Sequence, residues 1–267
     1  MIGFIGGGNM AEAMIKGMTS KGMTSKGMRD IMVSEPREER RHELAAAYGL
    51  SATSSNLEVV SACDVIILAV KPQNMAAVLD EITPAVSEEK TVVSIAAGIT
   101  LAYLGSKLKT ERLIRVMPNT PALVQEGMSV MSLCGCFYGP GLNTVKAILM
   151  SIGSVLTLPE DMMDAVTALS GSGPAFFALF AEAMIAAGEK MGLSAADSSV
   201  LVVQTLLGTA RLLDTGMSPE KLRIMVTSPG GTTEAGLKVF EKKSLRDIVC
   251  DALLAARKRS EELGRRE

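Results

Sequence analysis

The chain has no tryptophan, three tyrosines and one histidine, and aromatic residues make up 3% of its 267 positions. Each scarcity excludes something. A lone imidazole, His42, cannot build a Ser-His-Asp triad or a histidine-rich metal site. It also sits in the charged run PREERRHELAAAYG, where a solvated helix face is the expectation. So few aromatics leave no base-stacking platform. A net charge of −2 lacks the basic excess of a nucleic-acid binder. Four cysteines stand at 63, 134, 136 and 250. Cys134 and Cys136 are the only close pair in sequence, with no histidine beside them, so reduced structural thiols and no metal are expected. The first basic residue, Lys16, follows the opening apolar strand, the wrong order for a signal peptide. The longest charge-free apolar stretch, residues 165 to 181, is interrupted by SGSGP, so no membrane span is expected. These absences together predict a soluble, cytoplasmic protein.

What is present is apolar. Hydrophobic residues make up 48% of the chain, enough to hide roughly 70–75% of the unfolded surface at this size. Residues 1–158 alternate short β-rich runs with helix-like stretches. MIGFI leads into a glycine loop and the helix MAEAMIKGM. DIMVSE precedes PREERRHELAAAYG. CDVIILAV is continuously apolar, as a parallel strand covered on both faces must be. TVVSIAAG and RLIRVMPN repeat the pattern, and GMSVMSL and GSVLTL flank the helix GLNTVKAILMSIG. Strands separated by helices predict a Rossmann-type, doubly wound parallel sheet in an α/β fold. Residues 16–28, KGMTSKGMTSKGM, are a local duplication too short to be a solenoid.

Residues 159–267 form a second, all-helical domain by the same reading. Ser194 suits an N-cap, and Ser218-Pro219 suits N-cap and first helical position. Phe176, Phe177, Leu179, Phe180, Met184 and Ile185 cover most of one helix's circumference, and residues 200 to 213 are similar. So small a helical domain cannot bury both alone. A homodimer built through these helices follows.

Chemistry enters at the ends of the strands. In GFIGGGNMAEA, Gly6-x-Gly8-x-x-Ala11 follows a strand and opens a helix. That spacing provides a tight turn, close backbone approach to a pyrophosphate, and close helix–strand packing, with unpaired helix amides facing the phosphates. SEPREERR ends the second strand, where an adenosine ribose is expected. Glu35 could accept from a 2′-hydroxyl, whereas Arg37, Arg40 and Arg41 could meet a 2′-phosphate. Lys71-Pro72 falls just beyond the strand of LAVKPQ, at the ligand-binding edge. SIAAGIT, beyond the next strand, leaves room for a flat ring.

Taken in order, FIGGGNMAEA, AVKPQ, SIAAGIT, VMPNTPA, DAVTALSGSGPAF and TSPGGTTEAGL resemble the pyrroline-5-carboxylate reductase family over nearly the whole chain. The resemblance implies reduction of the C=N bond of 1-pyrroline-5-carboxylate, a cyclic imino acid, to L-proline. It implies NADPH as cofactor, with NADH also accepted. The implied cofactor contacts are Ile5, Gly6, Gly7, Gly8, Asn9, Met10, Glu35, Asn56, Val70, Lys71 and Ala97, and the strand-end positions of Arg37 and Pro72 add those two. The implied substrate contacts are Glu160, Ser228, Gly231, Thr232 and Thr233, with Thr167 as the catalytic candidate at the imine nitrogen. It further implies a dimer of interlocked helical domains, stacked into decamers in many members. Met225 stands where some members carry Asn, and Glu35 where others carry Ser or Asn.

The residues suit this chemistry on their own terms. A protonated cyclic imine is already electrophilic, so positioning matters more than acid catalysis, consistent with a chain holding one remote histidine. TSPGGTT combines hydroxyls and backbone amides with no basic side chain, which suits the substrate's single carboxylate. A 3-hydroxyacid dehydrogenase would need a lysine on the long helix GPAFFALFAEAMIAAG, and none occurs before Lys190. A non-catalytic dinucleotide sensor would show a degraded cup, and this one is intact.

Overall fold

The computed structural model describes residues 1–23, 30–135 and 139–264. The later part of the KGMTS duplication and Cys136 lie outside the described residues. The chain divides into two compact units, Met1–Ser172 with Ala256–Glu267, and Gly173–Ala255.

The first unit is built on one sheet. Its strands are β1 (Ile2–Ile5), β2 (Ile31–Ser34), β3 (Ser51–Thr53), β4 (Val65–Leu68), β5 (Thr91–Ser94), β6 (Leu113–Met117), β7 (Gly127–Leu133) and β8 (Gly153–Thr157). Their spatial order is β3-β2-β1-β4-β5-β6-β7-β8. The helices are α1 (Asn9–Ser20), α2 (Glu38–Tyr48), α3 (Asn56–Ala62), α4 (Met75–Ile82), α5 (Leu101–Lys107) and α6 (Pro140–Met150). Side-chain alternation divides the core between the two faces. Phe4, Ile67, Val93 and Ile114 pack with Met14, Ile15, Met18, Leu44 and Ile148 from α1, α2 and α6. Ile5, Ile66, Leu68 and Val92 pack with Val59, Met75, Leu79 and Leu104 from α3, α4 and α5. Every residue of β4 is buried, as its unbroken VIIL run requires.

Two features depart from the sequence expectation. β3, the polar segment Ser51–Thr53, pairs with β2 and extends the sheet. β7 runs antiparallel to β6, and β8 runs parallel to β7, so β1 to β6 form one parallel set and β7 and β8 a second that runs the opposite way. The link from Met117 to Gly127 holds only a short 3-10 turn, Thr120–Val124. A parallel return needs a crossover of about a dozen residues or more, so this link can only reverse the chain.

After β8, α7 (Met163–Val166) continues into a π-helical turn, Thr167–Gly171, and then α8 (Gly173–Lys190). No further strand follows among the described residues. α9 (Ala195–Asp214), α10 (Pro219–Met225), α11 (Thr232–Lys242) and α12 (Leu245–Gly264) complete the chain. Both expected caps form: Ser194 Oγ accepts from Asp197 N at 3.0 Å and Ser218 Oγ from Lys221 N at 3.2 Å. The expectation that SGSGP interrupts this apolar stretch is corrected here. Glu160–Lys190 is one helical stretch long and apolar enough to cross a membrane, judged by length and composition alone. SGSGP does not break it, because Gly171 lies within the π turn and Pro174 falls in the first turn of α8, where a missing N–H costs nothing.

Candidate cofactor and substrate sites

The carboxyl ends of β1, β2, β4 and β5 lie along one edge of the sheet, and the strand order reverses between β1 and β4. That reversal opens the crevice where doubly wound sheets bind ligands. Ile5 ends β1, and Gly6 to Gly8 turn the chain into α1. Gly6 has φ +99°, and a Cβ there would stand 2.7 Å from the Ala69 carbonyl oxygen, so a side chain is excluded twice over. A Cβ on Gly8 would meet nothing within 4 Å, which leaves its outer side open. Gly8 is the N-cap of α1 and supplies no side-chain cap. The amides of Gly8, Asn9 and Met10 have no acceptor among the described residues. Open amides at a helix start beside an unobstructed glycine fit a pyrophosphate.

At the end of β2 the acidic and basic residues of SEPREERR separate. Glu35 is 5% exposed. Its Oε2 accepts from Gly7 N at 3.1 Å, and its Oε1 from Arg37 Nε at 2.8 Å and Arg37 N at 3.2 Å. Burial pushes the Glu35 carboxyl upward, but the Arg37 and Gly7 donors outweigh it and hold it below the usual carboxylate range. The Arg37 side chain is 68% exposed. Arg40 turns inward: Nε donates to Gly7 O at 2.9 Å, Nη1 to Glu43 at 3.0 Å, and Nη2 to Glu12. Arg41 Nη1 donates to the carbonyls of Glu35 and Pro36, each at 2.8 Å. Of the three arginines, Arg37 is the most exposed. His42 is exposed, as its sequence context implies.

Lys71 and Pro72 follow β4, with Lys71 exposed and Pro72 opening a 3-10 turn. Val70, half-buried, lines the same loop. Asn56, the first residue of α3, has both side-chain ends engaged: Oδ1 accepts from Ser34 Oγ at 2.6 Å and Nδ2 donates to Glu81 at 2.8 Å. Ala97 is half-buried in the loop between β5 and α5, just before Gly98 at φ +82°.

Thr167 opens the π turn, and its hydroxyl donates to Met163 O at 2.8 Å, leaving its lone pairs free to accept. π turns recur at functional sites. Glu160 Oε1 accepts from Leu101 N at 2.7 Å and from Arg115 at 3.1 Å, while no partner of Oε2 occurs among the described residues. Arg115 and Asn119 were not singled out from sequence. Arg115 is buried in an otherwise apolar strand, which is the signal that could have found it. Asn119 donates to Ser170 O at 3.2 Å and accepts from Met128 N at 2.8 Å, tying VMPNTPA to the SGSG turn.

The helical unit contains the TSPGGTTEAG segment. Gly231 is the N-cap of α11 without any side-chain cap. The amides of Thr232 and Thr233 and the hydroxyls of Ser228, Thr232 and Thr233 have no partner among the described residues. Gly230 N is spent on Glu234 at 2.7 Å, and that amide together with Lys238 holds the Glu234 carboxyl below its usual range. A Cβ at Gly231 would meet Ser228 Oγ, so a side chain there would turn that hydroxyl aside. An N-terminal turn with its donors left open is an anion cup. Met225 closes α10 and is exposed. In the same unit Phe177 and Leu179 of α8 and Val200 and Val203 of α9 are each more than half exposed. Soluble surfaces seldom carry such contiguous apolar area unless a partner covers it.

Residues 160–263 match the family described as pyrroline-5-carboxylate reductase dimerisation, and residues 1–98 match that described as NADP oxidoreductase, coenzyme F420-dependent. A pyrroline-5-carboxylate reductase of Pseudomonas aeruginosa is 42% identical over 98% of this chain and 96% of its own. The solved structure of the Coxiella burnetii pyrroline-5-carboxylate reductase superposes with TM-score 0.91 at 36% identity, covering 98% of this chain and 97% of that one. The Plasmodium falciparum pyrroline carboxylate reductase, solved with NADP bound, superposes with TM-score 0.87 at 34% identity over 98% and 97% of the two chains. With likeness of this extent in sequence and in fold, the chain belongs to the pyrroline-5-carboxylate reductase family.

Proposed function

We propose that the protein reduces 1-pyrroline-5-carboxylate to L-proline with NADPH, the last step of proline biosynthesis. The observation that carries this reading is the uncapped donor set of the TSPGGTT cup, which asks for a small anion, in a chain that also has an open dinucleotide loop. The loop from Ile5 to Met10 would hold the pyrophosphate, and Glu35, Arg37, Asn56 and Val70 would border the adenosine end. Lys71, Pro72 and Ala97 would flank the nicotinamide end. When bound, the reduced nicotinamide supplies the hydride.

The chain's own residues bind and orient the substrate. Ser228, Gly231, Thr232 and Thr233 take the substrate carboxylate through hydroxyls and amides. Thr167 has its hydroxyl proton on Met163 O, so Oγ1 accepts from the N–H of the protonated imine. Glu160 keeps Oε2 for the same cationic group while Arg115 and Leu101 N hold Oε1. The nitrogen retains its proton as the imine carbon takes the hydride, so no histidine is needed. Correct placement of such a reacting pair is worth roughly 7–11 kcal/mol.

The exposed faces of α8 and α9 meet a second subunit rather than lipid, giving an interlocked dimer that stacks further into a decamer. The functional boundary falls between residues 158 and 159, the dinucleotide before it and the substrate after it. The protein works in the cytoplasm without nucleic-acid partners. A spectrophotometric assay tests the reading. Oxidation of NADPH should require pyrroline-5-carboxylate, and turnover of a 2- or 3-hydroxy acid instead would overturn it.

A further inference from the structure

We infer that Arg40 and Glu12 are positioning residues that brace the dinucleotide loop for any nicotinamide cofactor, and that Arg40 takes no part in recognising the 2′-phosphate. The inference rests on the cofactor reading above. Arg40 stands in the first turn of α2, its side chain 17% exposed. All three guanidinium nitrogens are engaged, with Gly7 O, Glu43 and Glu12. Glu12 lies in the first turn of α1, and its other oxygen accepts from Tyr48 OH at 3.0 Å. Glu12 therefore holds both ends of α2, through Arg40 at the start and Tyr48 at the finish.

The peptide groups of Gly7 are gripped from two sides. Its N–H donates to Glu35 at 3.1 Å and its carbonyl accepts from Arg40 at 2.9 Å. Three successive glycines form the most mobile connection available to a backbone, and a loop held in its bound shape before the ligand arrives binds more tightly. Electrostatics points the same way. Glu12 places a carboxylate in the helix turn whose open amides await phosphates. Without Arg40 that carboxylate would repel the pyrophosphate, a group common to both nicotinamide cofactors. Arg40 thus acts on the part of the cofactor that NADPH and NADH share. Arg37, outward-facing, is the arginine left to distinguish them.

Fluorescence titration of NADPH and NADH without substrate tests this. Arg40→Met should raise both dissociation constants by about tenfold and leave their ratio unchanged. Adding Glu12→Gln to that variant should recover part of the loss, because the uncompensated carboxylate is gone. Arg40→Lys keeps the charge but loses the planar fork, and should cost both cofactors a common factor of about three. This variant decides the question if Arg40→Met fails to fold. Weakened NADPH binding with NADH unaffected would overturn the inference by showing Arg40 on the 2′-phosphate. Unchanged binding of both with a lowered Tm would overturn it too, leaving Arg40 a stabilising contact only. Wild-type protein that binds neither nucleotide would instead sink the underlying cofactor reading.

Discussion

Replacing Glu35 by glutamine should raise the preference for NADPH over NADH by about tenfold. Glu35 is an anion at neutral pH, since the Arg37 and Gly7 donors overcome its burial. The 2′-phosphate is what NADPH has and NADH lacks. Two unit charges about 4 Å apart interact by about 1 kcal/mol in water and by about 4 at an effective dielectric near 20. Arg37 compensates part of the repulsion and its side chain stands in solvent, so the lower end applies, near 1.4 kcal/mol, or a factor of ten. Glutamine retains an oxygen for Gly7 N, so the loop keeps its shape. Its amide NH2 cannot accept from Arg37, which is released toward the phosphate. Serine is a blunter change: it leaves Gly7 N without an acceptor, so both cofactors weaken while the ratio still moves the same way. The assay is kcat/KM for each cofactor in wild type and both variants. A ratio unchanged by Glu35→Gln would refute the reasoning, because it would mean Glu35 does not face the ribose.

Thr233→Ala should lower kcat/KM for the imine by about 10- to 150-fold, the loss of one hydrogen bond to a charged group, while NADPH titrates as in wild type. If imine kinetics were unchanged, the carboxylate would sit elsewhere. Light scattering at micromolar concentration should find no folded monomer, since Phe177, Leu179, Val200 and Val203 are bare in a single chain, and Val200→Glu should disrupt assembly. The brace also has a pH signature. Arg40 and Tyr48 hold the Glu12 carboxyl below its usual 4.5. A depressed native pKa stabilises the fold above the unfolded value and is lost as pH falls through the native one. The Tm difference between wild type and Glu12→Gln should therefore narrow on acidification below 4.5, and a constant gap would contradict the pairing.

How far the sequence was readable depended on whether the deciding interaction was local. The glycine loop was legible because Gly6 answers to a backbone angle and Gly8 to open space, both set within the turn. β4 was legible because a run of four buried apolar residues has few other uses. The caps at Ser194 and Ser218 were legible because cap and recipient amide are three residues apart. β3 was not, since Ser51–Thr53 is polar and becomes a strand only by pairing with β2. The reversal at β7 followed from the length of a link that composition does not weigh. In the sites, the cup's donors were legible because they are neighbours in the chain. The arginines were not: Arg37, Arg40 and Arg41 look alike in SEPREERR, and only tertiary partners send one outward, one onto Gly7 and Glu12, and one onto backbone carbonyls. Arg115 and Glu160, far apart in sequence, meet for the same reason.

The most direct test is a coupled measurement on the purified protein: NADPH oxidation followed by absorbance together with proline formation, with pyrroline-5-carboxylate as the only acceptor. The account predicts equal amounts of NADPH consumed and proline formed, and no oxidation when the imine is withheld. NADPH consumption without proline, or none at all from protein that binds NADPH, would contradict it.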